Sequence, residues 1–244
     1  MTSEELATYD AFMTQRRAKI LERLGEAART AGRSASEVCV LAVSKTVGVE
    51  EVASAWRAGY RTFGENRPQE LRRKAEGIAA IPQMSDARLD MIGKLQTNKI
   101  NQVIGTAHLI HSVSSMHLAE AISKRAVARN AVARVLLEVN VSGEASKSGF
   151  SPQQAREALE PVLGLDGLDL QGVMTMAPAH DPGAARAAFS GLRELRDTLR
   201  ADSGLPLDVL SCGMSDDFGI AVEEGSTLVR LGRIVFDPAY PLDV

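Results

Sequence analysis

Apolar residues in the first thirty positions recur at helical spacing: Ala11, Phe12 and Met13, then Ile20, Leu21 and Leu24. That period predicts one long helix ending near Gly32. The pattern then changes. Short apolar runs recur at 38–43, 61–63, 89–92, 109–113, 134–141, 170–174, 207–211 and 228–236, and these read as strands. Helical patterns fill the intervals at 49–58, 68–77, 97–104, 116–129, 152–163, 184–200 and 216–224. Strands alternating with helices every 20 to 35 residues or so predict parallel pairing, because parallel neighbours need a crossover connection.

A closed (β/α)8 barrel uses eight such strands, whereas an open doubly wound sheet usually has about five to seven. The expected fold is therefore α/β, a single TIM barrel with an extra N-terminal helix. No Pro/Gly/Ser-rich linker, low-complexity tract or close repeat divides the chain, so 1–244 is expected to be one domain.

Composition changes this picture little. The chain has 244 residues, 45% hydrophobic and 24% charged, and this length suits one barrel. A net charge of −3 argues against a nucleic-acid-binding surface. Short basic clusters such as Arg72-Arg73-Lys74 read as solvated helix faces. No apolar run approaches the roughly 18 residues of a membrane span, and Met1-Thr2-Ser3-Glu4-Glu5 is unlike a signal peptide. Cys39 and Cys212 lie in separate apolar segments and read as buried, reduced thiols. A cytoplasmic protein is expected.

The run V-C-V-L-A-V-S-K-T carries Lys45 to the C-terminal end of the first strand. Desolvation there would lower the lysine pKa and leave a free amine able to condense with a carbonyl. The plainer reading is a strand-end lysine reaching water. In a barrel the C-terminal strand ends share one ligand-binding face. Those ends are Ser44-Lys45, Gly64-Glu65-Asn66, Gly93-Lys94, Asn140, Thr175-Met176, Gly213-Met214-Ser215 and Arg230-Leu231-Gly232.

Gly213 permits a close turn, and Ser215 is placed to cap a helix starting at Asp216, whose free N–H groups would suit a phosphate. Gly232 brings a second stretch of backbone towards the same anion. Asp216 and Asp217 must turn away for this to hold, because they would repel a phosphate. Taken singly, Ser215 reads as a cap and Gly232 as a packing residue. The stretch Gly143-Glu144-Ala145-Ser146-Lys147-Ser148-Gly149 is superficially like a P-loop but lacks its Gly-Lys-Ser/Thr order. Gln96-Thr97-Asn98-Lys99 either caps a helix or lines the site. His108, His111, His117 and His180 show no zinc-site spacing, and no metal is expected.

Taken together, these pieces resemble the pyridoxal phosphate homeostasis proteins of the YggS/PROSC type from about Val38 to Phe236. The matching motifs are LAVSKT ending at Lys45 and Thr46, FGEN at 63–66, IGKLQTNK at 92–99, KSG at 147–149, GVMTM at 172–176, GMSDD at 213–217 and VRLG at 229–232. The resemblance implies a monomeric barrel like the N-terminal domain of alanine racemase, carrying pyridoxal 5′-phosphate. It implies an aldimine on Lys45 and a phosphate held by Ser215 and Gly232. Arg230 would face the pyridine nitrogen, with Asn66 and Met214 nearby. Three positions depart from the family pattern. Asp90 stands in Leu89-Asp90-Met91 where a histidine is usual, Arg233 replaces a frequent threonine and either adds charge to the phosphate site or points away, and Asp237 replaces a glycine.

The first functional reading is a non-catalytic carrier with no catalytic residues, holding the cofactor reversibly and releasing it to apoenzymes. The second is a racemase or related enzyme using the same cofactor, which needs a second acid/base opposite the lysine. Tyr9, Tyr60 and Tyr240 belong to no recognised catalytic motif, and Tyr240 reads as part of a surface tail. A cofactor-free Schiff-base aldolase is a third reading, disfavoured by the first-strand lysine and the later motifs.

Overall fold

The strands are Cys39–Val43 (β1), Thr62–Glu65 (β2), Arg88–Met91 (β3), Ile110–Val113 (β4), Ala133–Glu138 (β5), Leu168–Met174 (β6), Val209–Ser211 (β7) and Leu228–Leu231 (β8). All pairings are parallel and run in chain order, with β8 returning to β1 to close a TIM barrel. The computed structural model describes residues 1–144 and 147–242, so Ala145 and Ser146 of the P-loop-like stretch lie outside the described residues. The helices are Ser3–Thr30 (α1), Val49–Arg57 (α2), Pro68–Ala79 (α3), Met116–Val127 (α4), Pro152–Leu163 (α5), Pro182–Ser203 (α6), Phe218–Glu223 (α7) and Arg233–Phe236 (α8).

Several expected boundaries move. The apolar run at 228–236 is not one strand: β8 stops at Leu231, and Gly232 leads into the single turn of α8. Both the last strand and that turn bury apolar side chains, so hydrophobicity alone did not separate them. The helix expected at 97–104 is a 3-10 segment, Thr97–Gln102. The helix expected from Asp216 begins at Phe218. The strand expected at 134–141 ends at Glu138, with Val139 making an isolated bridge to Phe150. Cys212 is fully buried, but Cys39 is exposed at the start of β1.

Strand side chains alternate between the helix-covered outside and the barrel lumen. Phe63, Met91, Leu137, Val173, Leu210 and Leu231 join the large outer core beneath the helices. Leu41, Val43 and Leu228 form a separate inner cluster, and Leu109, Leu136 and Met174 form another. Around the last strand the outer layer is thin, because α7 and α8 are short. Helix α1 makes up the deficit. It begins with a capping box between Thr2 and Glu5, and its buried stripe of Met13, Ile20, Leu24 and Ala28 packs on α2, α7 and α8. Arg16 on that stripe donates to the carbonyls of Ile234 at 3.3 Å, Pro238 at 3.2 Å and Tyr240 at 2.9 Å, tying α1 to the segment after β8.

The basic cluster on α3 is not wholly solvated. Lys74 is 2% exposed, and its Nζ donates to Glu65 Oε1 at 2.5 Å, Ser44 O at 2.6 Å and Val47 O at 2.9 Å. Ser44 Oγ donates to the same Glu65 oxygen at 2.6 Å. The β1–α2 turn is thereby fixed to β2 and α3 through one buried ion pair. Replacing Lys74 by Met should cost about 3–5 kcal/mol, because it strands a buried carboxylate. Glu65→Gln added to that variant should recover part of the loss. Urea unfolding of both variants measures this, and an unchanged midpoint for Lys74→Met would contradict it.

Candidate functional site

The clamped turn presents Lys45 at the C-terminal mouth of the barrel. Ser44 is fully buried, and its N–H donates to Gly64 O at 2.9 Å. Lys45, one residue on, is exposed and has no hydrogen-bond or ion-pair partner among the described residues. The desolvation expected at this position is therefore absent: the strand is buried, but its terminal amine is not.

Lys45 lines a cavity of about 560 Å³ at the strand ends. All the other candidate residues reach it: Asn66 after β2, Met214 and Ser215 after β7, and Arg230, Gly232 and Arg233 at and beyond the end of β8. Asn66 is held against the β3 end. A Cβ on Gly93 would lie 2.2 Å from Asn66 O, so only glycine allows the two turns to approach this closely. Gly213 has φ of +95°, which lets the chain turn sharply after β7. At Gly232 φ is −110° and ψ −82°, outside the left-handed region, and a Cβ would come no nearer than 3.4 Å to Val43 Cβ. Packing does not demand glycine at 232, and its missing side chain enlarges the cavity.

Ser215 does not cap the helix that follows β7. The residue before α7 is Asp217, and Ser215 Oγ instead accepts from Ile234 N at 3.4 Å, within the turn of α8. The two acidic residues behave differently. Asp217 turns back, its Oδ1 accepting from Met214 N at 2.6 Å. Asp216 stays on the cavity wall, where Arg233 Nη2 meets its Oδ2 at 2.7 Å and the Tyr240 hydroxyl donates to its Oδ1. Arg233 also lies 5.4 Å from the Tyr240 ring centroid. Tyr240 is thus fastened to a residue of the cavity wall rather than left in a loose surface tail. Burial and the neighbouring Asp216 raise its pKa to about 12.

Arg230 projects from β8 into the lumen and is 5% exposed. Its Nη2 donates to Thr175 O at 3.0 Å and its Nη1 to Ser211 Oγ at 2.7 Å. Ser211 Oγ in turn meets His111 Nδ1 at 3.0 Å, and His111 Nε2 meets Asp90 Oδ2 at 3.1 Å. These residues sit on β8, β7, β4 and β3, so the chain of contacts crosses the barrel interior. Burial pushes the Asp90 carboxyl up, but the imidazoles of His108 and His111 outweigh it and hold the group below its ordinary value. Burial lowers the His111 pKa, against the pull of Asp90. Burial also lowers the Arg230 pKa, opposed by Cys212, Asp217 and Glu138.

Sequence reasoning missed Glu138 and the lumen role of His111. Glu138, 5% exposed at the end of β5, lines the cavity and has no hydrogen-bond partner for its carboxyl among the described residues. Burial raises its pKa, and Arg230 and Lys94 pull the other way. A usable signal existed: Asp90, His111 and Glu138 are polar residues embedded in apolar strands. No group of three metal-ligating side chains occurs among the described residues.

The chain contains a known domain. Residues 18–238 match the profile of the alanine racemase N-terminal domain. A pyridoxal phosphate homeostasis protein of Aquifex aeolicus is 40% identical over 91% of this chain and 96% of its own length. PipY of Synechococcus elongatus, solved with PLP bound, is 32% identical and superposes with a TM-score of 0.77 over 89% of this chain and 99% of its own. Alanine racemase of Corynebacterium glutamicum, 15% identical, shares the fold, with a TM-score of 0.66 over 93% of this chain and 64% of the racemase.

The buried polar groups set a pH dependence for stability. His111 and Asp90 both have folded pKa values below their unfolded ones. Each therefore stabilises the fold above its unfolded value, about 6.5 for His and 3.9 for Asp, and ceases to do so as pH falls through its folded value. Glu138, raised by burial, acts in the opposite sense and stabilises only at low pH. The urea midpoint should fall in two limbs, below about pH 6.5 and again below about pH 4. His111→Gln should flatten the first limb; a first limb unchanged in that variant would contradict the assignment.

Proposed function

Since this chain belongs to the family of the alanine racemase N-terminal domain, and within it to the pyridoxal phosphate homeostasis proteins, we propose that it binds pyridoxal 5′-phosphate and buffers its supply. One observation carries the reading: an amine without a partner among the described residues, Lys45, and a buried guanidinium, Arg230, line the same cavity of about 560 Å³. That volume lies within the usual range for small-molecule sites, about 300–1,000 Å³. The donor set also fits a planar, phosphorylated aldehyde, and the open space at Gly232 leaves room for its phosphate.

Bound there, pyridoxal phosphate would supply an aldehyde open to reversible condensation with a primary amine, with loss of water. Lys45 provides the amine, which makes the hold covalent yet exchangeable. Ser215 Oγ, the Gly232 backbone and the Arg233 guanidinium hold the phosphate. Asp216 does not turn away from the cavity, so Arg233 must share its guanidinium between that carboxylate and the phosphate and thereby offset their repulsion. Asn66 and Met214 flank the ring. Arg230 faces the ring nitrogen and disfavours a proton there, because like charges repel. An unprotonated ring is a weaker electron sink, which suits retention and handover rather than turnover. In this reading the protein acts as a cytoplasmic monomer, and the recipients are apoenzymes that require the cofactor.

Two measurements test the proposal. Borohydride reduction of the loaded protein should leave a pyridoxyl group on the peptide containing Lys45, and Lys45→Ala should lose both the label and the visible absorbance. A label on Lys94, Lys99 or Lys147 would overturn the assignment.

The second measurement separates carrier from racemase. Among the described residues two carboxyls line the cavity, Glu138 and Asp216, and Asp216 is engaged by Arg233 and Tyr240. Glu138 is therefore the group that would have to act as second base. Amino acids should exchange their α-proton slowly in deuterated buffer, and Glu138→Gln should leave that rate unchanged. Exchange at roughly 1 s⁻¹ or faster, abolished by Glu138→Gln, would establish an enzyme.

A further inference from the structure

The polar chain that crosses the lumen has a direction, which follows from counting hydrogens. Arginine has donors only, so Ser211 Oγ accepts from Arg230 Nη1. The Ser211 hydroxyl has one hydrogen, and its remaining partner is His111 Nδ1 at 3.0 Å. Nδ1 accepting that hydrogen leaves the proton of the neutral ring on Nε2, which donates to Asp90 Oδ2 at 3.1 Å. A second arm arrives from the outer end of the barrel. Arg134 Nη1 lies 3.0 Å from His108 Nε2, so that nitrogen accepts and His108 Nδ1 carries the hydrogen. His108 Nδ1 stands 3.5 Å from Asp90 Oδ1, an electrostatic contact too long for a good hydrogen bond. Both arms therefore converge on the Asp90 carboxylate, which is 1% exposed.

We propose that Asp90 is a positioning residue for Arg230: acting through His111 and Ser211, its carboxylate fixes the direction of every hydrogen in the relay and holds the guanidinium as it faces the cavity. Two acceptors, Thr175 O and Ser211 Oγ, define the plane of that guanidinium. Only the Nε2–H form of His111 satisfies Asp90 and Ser211 at once. In the other tautomer Nε2 meets the carboxylate with no hydrogen between them. Nδ1–H then occupies the Ser211 oxygen, and the Ser211 hydrogen is left without an acceptor beside a cation. Asp90 makes that arrangement costly. Its carboxylate also returns negative charge to a lumen that holds a buried cation, at a distance too great for direct contact. The inference rests on the proposed pairing of Arg230 with the ring nitrogen, and the test separates the two.

The His111 tautomer is read by nitrogen NMR on histidine-labelled protein without ligand, and the Nε2–H form is expected. The ring nitrogen is then followed with 15N-labelled pyridoxal phosphate bound. Asp90→Asn should move this signal towards the protonated position and weaken binding two- to tenfold or so, the scale of one hydrogen bond. Ser211→Ala, which cuts the relay, should move it likewise, and Asp90→Asn should add nothing in the Ser211→Ala background. A residue that merely packs in the lumen would show the same shift in both backgrounds, and that result overturns the proposal. So does an Nδ1–H tautomer in the unsubstituted protein. If Arg230→Gln moves the signal and Asp90→Asn does not, the relay is wrong and the ring pairing stands. If neither moves it, the ring pairing fails and the relay's purpose fails with it. Should Asp90→Asn not fold, the wild-type tautomer and the Ser211→Ala shift together decide the matter.

Discussion

A guanidinium that is only 5% exposed inside a closed eight-stranded barrel must find most of its acceptors there, because little water reaches it. Leaving such a charge uncompensated costs several kcal/mol, a large share of the net stability of a domain. Much of the lumen is organised around this demand. Barrel interiors are usually layered with Val, Ile and Leu. Here two small apolar clusters flank a polar layer made of Asp90, His111, Ser211 and Arg230. The layer crosses from β3 and β4 to β7 and β8, so it also ties together strands that share no backbone pairing.

A second buried charge does comparable work outside the lumen. Lys74 fastens Ser44 and Val47 to Glu65, and so sets where the next residue, Lys45, stands. The cavity thus combines buried groups with exposed ones. Arg230 and Ser215 are buried, whereas Lys45, Asn66 and Arg233 are exposed side chains on fixed backbone. Pre-ordering the buried cation means that its orienting entropy is lost on folding rather than on binding.

The alternation of apolar runs was enough to count eight strands and to bring the candidate residues to one face of the barrel, because each run ends in glycine or polar residues. It failed where hydrophobicity continued through a change of geometry, as in Leu228 to Phe236, where Gly232 turns a strand into a helical turn. The strand-end residues of the candidate site were legible for the same reason that barrels bind ligands at one face. Charge state and partner were not. Lys45 is exposed although its strand is buried, and Lys74 is buried within a cluster that looks solvated. His111 meets Ser211 across a hundred residues of sequence, a contact set by barrel closure and invisible to local periodicity. Asp90 stood out only as a departure from the family pattern, with no hint of what it touches.

The attachment of Arg16 to Ile234, Pro238 and Tyr240 has a consequence for how the molecule is made. Its acceptors lie 218 to 224 positions downstream. During synthesis from the N-terminus, α1 and β1 leave the ribosome long before the segment that satisfies Arg16 and pairs the free edge of β1. Through most of translation β1 is an unprotected edge and α1 carries a donor without its carbonyls, the kind of exposure that invites aggregation. The same late segment supplies Gly232 and Arg233 to the cavity wall. A nascent chain therefore completes this cavity only as it closes its barrel.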